Sequence, residues 1–288
     1  MHRQPSGHDH LERAGDVLGA RYRLDAILGR GGQGAIYRAT DLRDGDRVAI
    51  KVLPREATPD AIERMFREAF IMSQLHGTAA VRVLHQVRTE GGTAIVMELL
   101  EGEDLEDLAR RYTAHDVPMP IDLVVRLLGP IVATLDAAPD RGIIHRDVKP
   151  GNVFVLDSTT GDVRLLDFGF AKLTSAIGIT KPEELAGTPS FIAPELWSAG
   201  ARAADSRCDV YSLAVLVFRL LGGRHPFEGT LLDIMRDATS APRPSLHVLR
   251  SELSPCVDDW ARQALAIRPD ERFARVGAMW AALLSSLA

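Results

Sequence analysis

The stretch "HRDVKPGN", residues 145–152, decides how the rest of this chain is interpreted. It combines ionisable side chains with an asparagine, yet the apolar pair Ile143-Ile144 precedes it and the run "VFVL" follows it. A plain surface loop is one interpretation, although such loops seldom have strand-like runs so close on both sides. The pattern favours a polar loop that two buried segments hold in place.

Composition sets broad limits on the class of protein. With 288 residues, the chain is long enough for one large domain or two lobes. Hydrophobic residues make up 46% and charged residues 25%, as is usual for a soluble globular protein. The formal net charge of −5 gives no electrostatic signature of binding to nucleic acid or to an anionic membrane.

Cysteine content and hydropathy bear on localisation. Cys208 and Cys256 form neither a disulfide framework nor a zinc-binding spacing, which favours a reducing compartment, the cytoplasm. The most apolar run, residues 213–223, is shorter than the ~20 residues of a membrane span and contains Arg219. We therefore predict a cytoplasmic protein with no membrane span in this chain.

Hydrophobic periodicity differs between the two halves of the chain. The first half predicts three short strands and a hairpin around Gly91-Gly92, at residues 22–28, 35–40, 47–53 and 80–99. Thr58 and Pro59 predict the start of a helix in this half. The apolar face of that helix is predicted to contain Ile62, Met65, Phe66, Ala69, Phe70, Met72 and Leu75.

The second half is predicted to be mostly helical. Helices are expected at 121–138, 205–222 and 255–267, and short strands near 153–156 and 163–166. The predicted fold class is therefore α+β. The predicted organisation is a flexible tail at 1–21, a sheet-rich lobe at about 22–99, a hinge at about 98–103 and a helical lobe at about 104–286.

A glycine-rich segment, "LGRGGQGAIY" at residues 28–37, is the first chemical motif. Gly29, Gly31 and Gly34 follow a G-x-G-x-x-G pattern between two strands, whereas a dinucleotide-binding fold places that pattern at the start of a helix. Glycines let backbone amides approach phosphate oxygens closely, but an ordinary glycine-rich hairpin turn is the alternative.

Lys51 ends the strand motif "VAIK" and is either an edge lysine with its amine in water or a cation that binds phosphate. Glu68 interrupts the apolar face of the predicted helix, where a carboxylate needs a cationic partner. Two unit charges ~4 Å apart attract by about 4 kcal/mol at an effective dielectric constant of ~20, before desolvation. We therefore expect Lys51 and Glu68 to form an ion pair.

Taken in order, these motifs resemble those of the eukaryotic-type protein serine/threonine kinases, especially the bacterial members. The resemblance extends over residues 22–286. It rests on the glycine-rich loop, "VAIK", the helix glutamate, "HRDVKPGN", "DFG" (167–169), "GTPSFIAPE" (187–195), "DVYSLAV" (209–215) and "RPDERF" (268–273).

This resemblance implies a two-lobed protein kinase fold and an activity that transfers the γ-phosphate of ATP to protein hydroxyls. The small lobe has an antiparallel sheet with one main helix, and the larger lobe is mostly helical. The implied cofactor is Mg²⁺, with Mn²⁺ as the alternative. Phosphoryl transfer requires alignment and cations more than covalent help, which suits a polar loop that faces a cleft between lobes.

The same resemblance identifies "HRDVKPGN", residues 145–152, as the catalytic loop and implies roles for its individual residues. Asp147 accepts or orients the proton of the attacking hydroxyl, and Lys149 contacts the transferred phosphate. Asn152 and Asp167 bind the metal ion. Lys149 and Thr188 also favour Ser/Thr substrates, because Thr188 resembles the threonine that braces Asp147 and Lys149 in serine/threonine kinases. A structural threonine in a tight turn is the alternative for Thr188.

Nucleotide recognition is implied at the predicted hinge. Met97 aligns with the gatekeeper, the backbone of Glu98 and Leu100 is expected to bind adenine, and Ala49 to pack on the ring. The alternative is that these apolar residues belong to the core. The complete predicted nucleotide site consists of Leu28, Gly29, Gly31, Gly34, Ile36, Ala49, Lys51, Met97, Glu98, Leu100, Asn152 and Asp167.

Other motif residues are expected to be structural or regulatory. Glu195 is expected to pair with Arg272, and Asp209 to accept hydrogen bonds from the catalytic-loop backbone. Arg146 precedes the catalytic aspartate, as in kinases that are activated by phosphorylation. We predict autophosphorylation at Thr180, whose phosphate would pair with Arg146, through a transient dimer that acts in trans.

Two other functions remain open at this point. A pseudokinase would keep the fold without turnover, although the intact Lys51, Asp147, Asn152 and Asp167 argue against it. A small-molecule kinase of related fold would lack the "GTPSFIAPE" segment.

Overall fold

A six-stranded antiparallel sheet forms most of the first of two compact units, which contains Met1–His76 and Val81–Glu101. The computed structural model describes residues 14–31, 34–53, 57–89, 92–115, 117–167, 189–199 and 204–288. The strand order is β1-β2-β3-β4-β6-β5. These strands are β1 (Val17–Leu18), β2 (Tyr22–Gly31), β3 (Gly34–Asp41), β4 (Arg47–Val52), β5 (Val83–Thr89) and β6 (Gly92–Glu98).

Alternation along the strands gives this sheet two apolar faces. One face has a buried cluster that includes Tyr22, Tyr37 and Ile50. Helix α1 (Pro59–Gln74) covers the other face, where Met65 and Ala69 pack in one cluster with Leu53 and Ile95. The helix therefore lies against the face that carries the odd-numbered residues of β4.

Helix α1 begins where the sequence predicted, but one residue of its predicted apolar face, Phe70, is exposed. The Thr58 side chain accepts a hydrogen bond from the Ala61 amide, and Pro59 is the first helical residue. Phe70, however, is 62% exposed. Adjacent helical residues point about 100° apart, so Phe70 lies outside the face that Ala69 defines. Its placement on the buried face was wrong.

The second unit contains Gly77–Ala80 and Gly102–Ala288 and is mainly helical. Its helices are α2 (Leu105–Thr113), α3 (Ile121–Ala137), α4 (Pro194–Ala199), α5 (Arg207–Gly222), α6 (Leu231–Ser240), α7 (Leu246–Leu249), α8 (Cys256–Ala264) and α9 (Val276–Leu287). The predicted helix at 255–267 thus ends three residues early, at Ala264. The predicted hairpin at 80–99 starts its first strand only at Val83.

Helix α5 explains the most apolar stretch of the sequence. It is buried along nearly its whole length, because helices α3, α8 and α9 pack around it. Among the described residues, no helix has both the length and the apolar character that a membrane crossing requires.

A small three-stranded sheet, in the order β7-β8-β9, also belongs to the second unit. Its strands are β7 (Glu103–Asp104), β8 (Val153–Asp157) and β9 (Asp162–Leu165). Residues 77–80 join this unit because the Leu165 amide donates to the Ala79 carbonyl (2.7 Å) and the Ala79 amide donates to Thr134 Oγ1 (3.0 Å). Sequence periodicity gave no indication of this short excursion from the first unit.

A buried arginine joins distant parts of the second unit. Arg272 binds Glu195 through two hydrogen bonds of 2.6 and 2.9 Å, so the expected ion pair is present. Its guanidinium also donates to three backbone carbonyls, and its side chain is 0% exposed. The guanidinium lies 5.0 Å from the centre of the Tyr211 ring, and burial raises the pKa of Tyr211 to about 12.

We expect Arg272→Met to lower the free energy of unfolding by about 3–5 kcal/mol, because it removes the guanidinium donor from the poorly exposed Glu195 carboxylate and from three backbone carbonyls. Arg268→Met is the matched control: its side chain is 67% exposed and pairs with Asp270 at the surface, so its expected cost is at most about 1 kcal/mol. Urea unfolding can be followed by tryptophan fluorescence, because Trp197, Trp260 and Trp280 all belong to the second unit. Equal losses for the two variants would contradict this account of Arg272.

Candidate active site

Strand register gathers predicted nucleotide-site residues on one face of the first unit's sheet. Lys51 lies opposite Ile36 on one side and Ile95 on the other, and Ala49 lies opposite Met97. Directly opposed residues share a face, as do residues two apart along a strand. Ile36, Ala49, Lys51 and Met97 therefore all lie on the face that α1 covers.

Lys51 and Glu68 form the ion pair that the sequence predicted. Nζ of Lys51 lies 3.5 Å from Oε2 of Glu68. The side chains are only 12% and 7% exposed, so water screens the pair weakly. Glu68 lies on α1 between the buried residues Met65 and Met72, which means that helix packing fixes its carboxylate and thereby the lysine amine.

Gly34 has a strict structural requirement for glycine. Its φ of +119° is unfavourable for other residues, and a Cβ there would lie 2.1 Å from the Val52 carbonyl oxygen. At Gly29, by contrast, a Cβ would meet no atom within 4 Å. Leu28 falls at a register shift of β2 and is 52% exposed. At Gly34, the start of β3 thus lies directly against the end of β4.

At the predicted hinge, Glu98 is hydrogen-bonded to the backbone of Arg82. The amide of Glu98 donates to the Arg82 carbonyl (3.0 Å), and the Arg82 amide donates to Glu98 Oε1 (2.8 Å). The Glu98 amide is therefore already bonded to another backbone group. Leu100 lies just beyond the end of β6 and is half-buried.

In the second unit, Asp209 supports the catalytic-loop backbone. Its two carboxylate oxygens accept hydrogen bonds from the amides of His145 and Arg146, each at 2.8 Å. Arg146 adopts a φ of +66°, an uncommon conformation for a residue with a side chain. Burial raises the pKa of Asp209, while the two amide donors favour its ionised form.

His145 joins the catalytic loop to the strand that leads to Asp167. Its ring is fully buried, with Nδ1 3.2 Å from the Asp147 amide and Nε2 2.9 Å from the Leu166 carbonyl oxygen. Because an amide can only donate, Nδ1 accepts and Nε2 carries the proton. Motif spacing indicated no role for His145; its position as the first loop residue after the apolar pair Ile143-Ile144 was the available signal.

Asp147 lies at the centre of the polar cluster in this loop. Its Oδ2 is 3.0 Å from Nζ of Lys149 and accepts a hydrogen bond from Nδ2 of Asn152 at 2.9 Å. Nδ2 of Asn152 also donates to the Asp147 carbonyl oxygen at 2.7 Å. These contacts to one oxygen fix the orientation of the carboxylate, and the amide oxygen of Asn152 remains as its possible ligand atom for a cation.

Asp167 is linked to this cluster through the backbone of the residue before it. The Leu166 amide donates to the Asn152 carbonyl (2.8 Å), which fixes the backbone directly before Asp167. The φ of Asp167 is +39°. Thr180 and Thr188 lie outside the described residues, as do the last two residues of "DFG". Their predicted roles stay predictions.

The two units thus carry two separate sets of groups. The first has a shielded amine held by a carboxylate, and a strand, β3, whose first residue has a strict glycine requirement. The second has a fixed carboxylate beside an ammonium group and an amide oxygen. The amines are suited to phosphate, the Asp147 carboxylate to a hydroxyl proton, and the oxygens of Asn152 and Asp167 to a hard cation.

The family model for the protein kinase domain matches residues 22–281. Among curated relatives, serine/threonine-protein kinase PknL of Mycobacterium tuberculosis is 36% identical over 278 residues, which cover 96% of this chain and 67% of PknL. Serine/threonine-protein kinase pkn2 of Myxococcus xanthus is 39% identical over 236 residues, or 79% of this chain but only 28% of that longer protein.

A solved structure supports the fold. The crystal structure of the Mycobacterium tuberculosis PknI kinase domain matches with a TM-score of 0.72 and 26% identity, covering 96% of this chain and 98% of that one. The predicted kinase fold, with an antiparallel sheet in one lobe and mostly helices in the other, is confirmed. By its family match and its relatives, this chain belongs to the protein kinase family, in the eukaryotic-type branch found in bacteria.

Proposed function

We propose that this chain transfers the γ-phosphate of ATP to serine and threonine hydroxyls of proteins. The observation that carries the proposal is the fixed Asp147 carboxylate, with Lys149 and Asn152 at 3.0 and 2.9 Å from the same oxygen. Lys149 and the names of the bacterial relatives support Ser/Thr as the acceptors.

Asp147 is proposed to orient the acceptor hydroxyl and receive its proton. Its orientation is set before any substrate binds, because Asn152 anchors it and Asp209 holds the preceding backbone. Preorganisation of this kind reduces the entropy lost in reaching a reactive geometry. Lys149 is proposed to contact the transferred group, where its positive charge offsets the spreading negative charge.

Lys51 is proposed to bind the nucleotide phosphates, with Glu68 as the residue that positions it. The turn between Gly31 and Gly34 is proposed to supply backbone amides to the same phosphates. Adenine recognition is assigned to the carbonyl oxygen of Glu98 and the amide of Leu100, since the Glu98 amide already donates to Arg82.

Asn152 and Asp167 are proposed to bind Mg²⁺, with Mn²⁺ as the alternative. Both offer the oxygen ligands that hard cations prefer, and the double donation by Nδ2 of Asn152 presents its amide oxygen for this purpose. When bound, the ion would neutralise phosphate charge and orient the nucleotide.

Asp147→Asn is expected to reduce phosphate transfer by about 10²–10⁴-fold, because an amide cannot accept the hydroxyl proton. The readout is transfer of ³²P from ATP to casein with Mg²⁺ present, alongside binding of a fluorescent ATP analogue. Asp122→Asn is the control, since Asp122 is 77% exposed and pairs only at the surface with Arg126.

Three results would overturn the proposal. Full activity of Asp147→Asn would exclude the role of that carboxylate. ATP binding by the unmodified chain without any transfer would indicate a pseudokinase, and transfer to an aminoglycoside but never to protein would indicate a small-molecule kinase.

Gly34→Ala is expected to raise the KM for ATP by about 5–150-fold, because a Cβ 2.1 Å from the Val52 carbonyl oxygen introduces about 1–3 kcal/mol of strain, which moving the start of β3 away from β4 would relieve. Gly29→Ala is the matched control, because the structure has room for its added methyl group. Steady-state kinetics with varied ATP measures both. A larger effect at Gly29 than at Gly34 would refute the assignment.

Thr180 is proposed as the site of activating autophosphorylation, with Arg146 as the partner of its phosphate. Mass spectrometry after incubation with ATP and Mg²⁺ should find phosphate at Thr180, and Thr180→Ala should lower activity where Thr174→Ala does not. A rate that rises with the square of protein concentration would support transfer within a transient dimer. Active protein with Thr180 unmodified throughout would reject the proposal.

A further inference from the structure

A surface groove in the second unit lies outside the residues assigned above. Its walls come from the ends of α2, α5 and α7 and from the segment that leads into α3, and it encloses about 240 Å³. Its lining includes Thr113, Val117, Pro118, Gly222, Arg224 and Leu249.

A buried arginine holds these walls together. Arg250 follows α7 directly, and its side chain is 8% exposed. Its Nη1 donates to the carbonyl oxygens of Met119 (2.7 Å) and Leu221 (3.4 Å), which are the chain neighbours of the lining residues Pro118 and Gly222. Because one planar guanidinium fixes both carbonyls, the groove is preformed before any ligand binds.

The groove has apolar surface that water reaches. Val117 is 51% exposed, Pro118 is exposed and Leu249 is half-buried. Gly222 adds no side chain, and a Cβ there would lie 3.0 and 3.1 Å from side-chain atoms of Leu246 and Leu249. An aliphatic side chain that enters the groove would therefore displace water from apolar atoms.

Arg224 gives the groove a positive charge. It is exposed, and no ion pair or hydrogen bond joins its guanidinium to another described residue. Arg219, one helical turn and a half earlier, is different, since it pairs with Glu106. A cation near the C-terminus of α5 also interacts favourably with the helix dipole. The effect of the Arg224 charge on ligand binding therefore has to be measured directly.

We propose that this groove docks an extended peptide segment of the protein substrate, in which an acidic residue stands beside aliphatic residues. The volume is below the roughly 300–1,000 Å³ typical of small-molecule sites, and it suits a few side chains. The apolar wall accepts the aliphatic residues, and Arg224 attracts the carboxylate. This proposal rests on the proposed function, because the ligand is assigned to the kinase substrate.

Binding can be tested without phosphate transfer. The probe is fluorescein-labelled Gly-Gly-Leu-Glu-Leu-Gly-Gly, with counterparts that carry Gln or Lys in place of Glu; none has an acceptor hydroxyl. By fluorescence anisotropy, the Glu peptide should bind about 3–10-fold more tightly than the Lys peptide at low salt. Arg224→Glu should reverse this order.

Arg262→Glu is the matched control, because Arg262 is also exposed, at 67%, and lies in the same unit. It should leave the order unchanged. Val117→Gln should weaken all three peptides without changing their order. Thermal unfolding of each variant verifies that it is folded. Absence of saturable binding, or an order that Arg224→Glu leaves unchanged, would overturn the docking proposal.

A kinetic test separates this proposal from the proposed function. The Glu and Lys peptides are each joined through a Gly linker to one common serine-containing segment. The Glu form should have about 3–10-fold lower KM and equal kcat, an advantage that Arg224→Glu removes. Phosphorylation with equal KM values would reject docking alone. Normal peptide binding with no phosphorylation of any protein or peptide would reject the proposed function, and with it the assignment of the docked peptide to a substrate, but would leave the groove as a peptide-binding site.

Discussion

The buried carboxylate of Asp209 is the constraint on which the catalytic loop depends. By accepting hydrogen bonds from two successive amides, it allows Arg146 to adopt a φ of +66°. That conformation costs free energy, and the surrounding hydrogen bonds must supply it. The next residue, Asp147, is then oriented so that Lys149 and Asn152 both contact its Oδ2. Reactive geometry in this loop thus follows from a residue more than 60 positions away.

The first unit uses the same principle with a different pair. Glu68 and Lys51 are both poorly exposed, and each would be costly to bury alone. Helix packing fixes the carboxylate, and the carboxylate in turn positions the amine. The register of β3, β4 and β6 then places Ile36, Ala49 and Met97 on the same face as that amine. The surface that is proposed to bind the nucleotide arises here from ordinary strand alternation.

The sequence predicted those features that depend on local pattern or on motif spacing. Strand alternation predicted β2–β4, and Thr58 with Pro59 predicted the start of α1. It did not predict the contact of residues 77–80 with β9, because that depends on hydrogen bonds across long separations in sequence. The prediction for Phe70 was wrong because it relied on the hydrophobicity of the side chain and not on its angular position around the helix. The bridging role of His145 required knowledge of where the Leu166 carbonyl lies.

In the described part of the second unit, the buried side chains of Asp209, Arg250 and Arg272 form hydrogen bonds with the backbone. Asp209 accepts from two successive amides of one loop, whereas Arg250 and Arg272 each donate to carbonyls of separate segments. In each case the hydrogen bonds offset the desolvation of the charge and fix the position of the backbone. Arg224 lies only a few residues from one such segment but faces solvent at an apolar groove. Since Arg250 already fixes the groove's walls, the charge of Arg224 is not needed to hold them. Besides its favourable interaction with the dipole of α5, that charge is therefore available to attract the acidic residue of the proposed peptide.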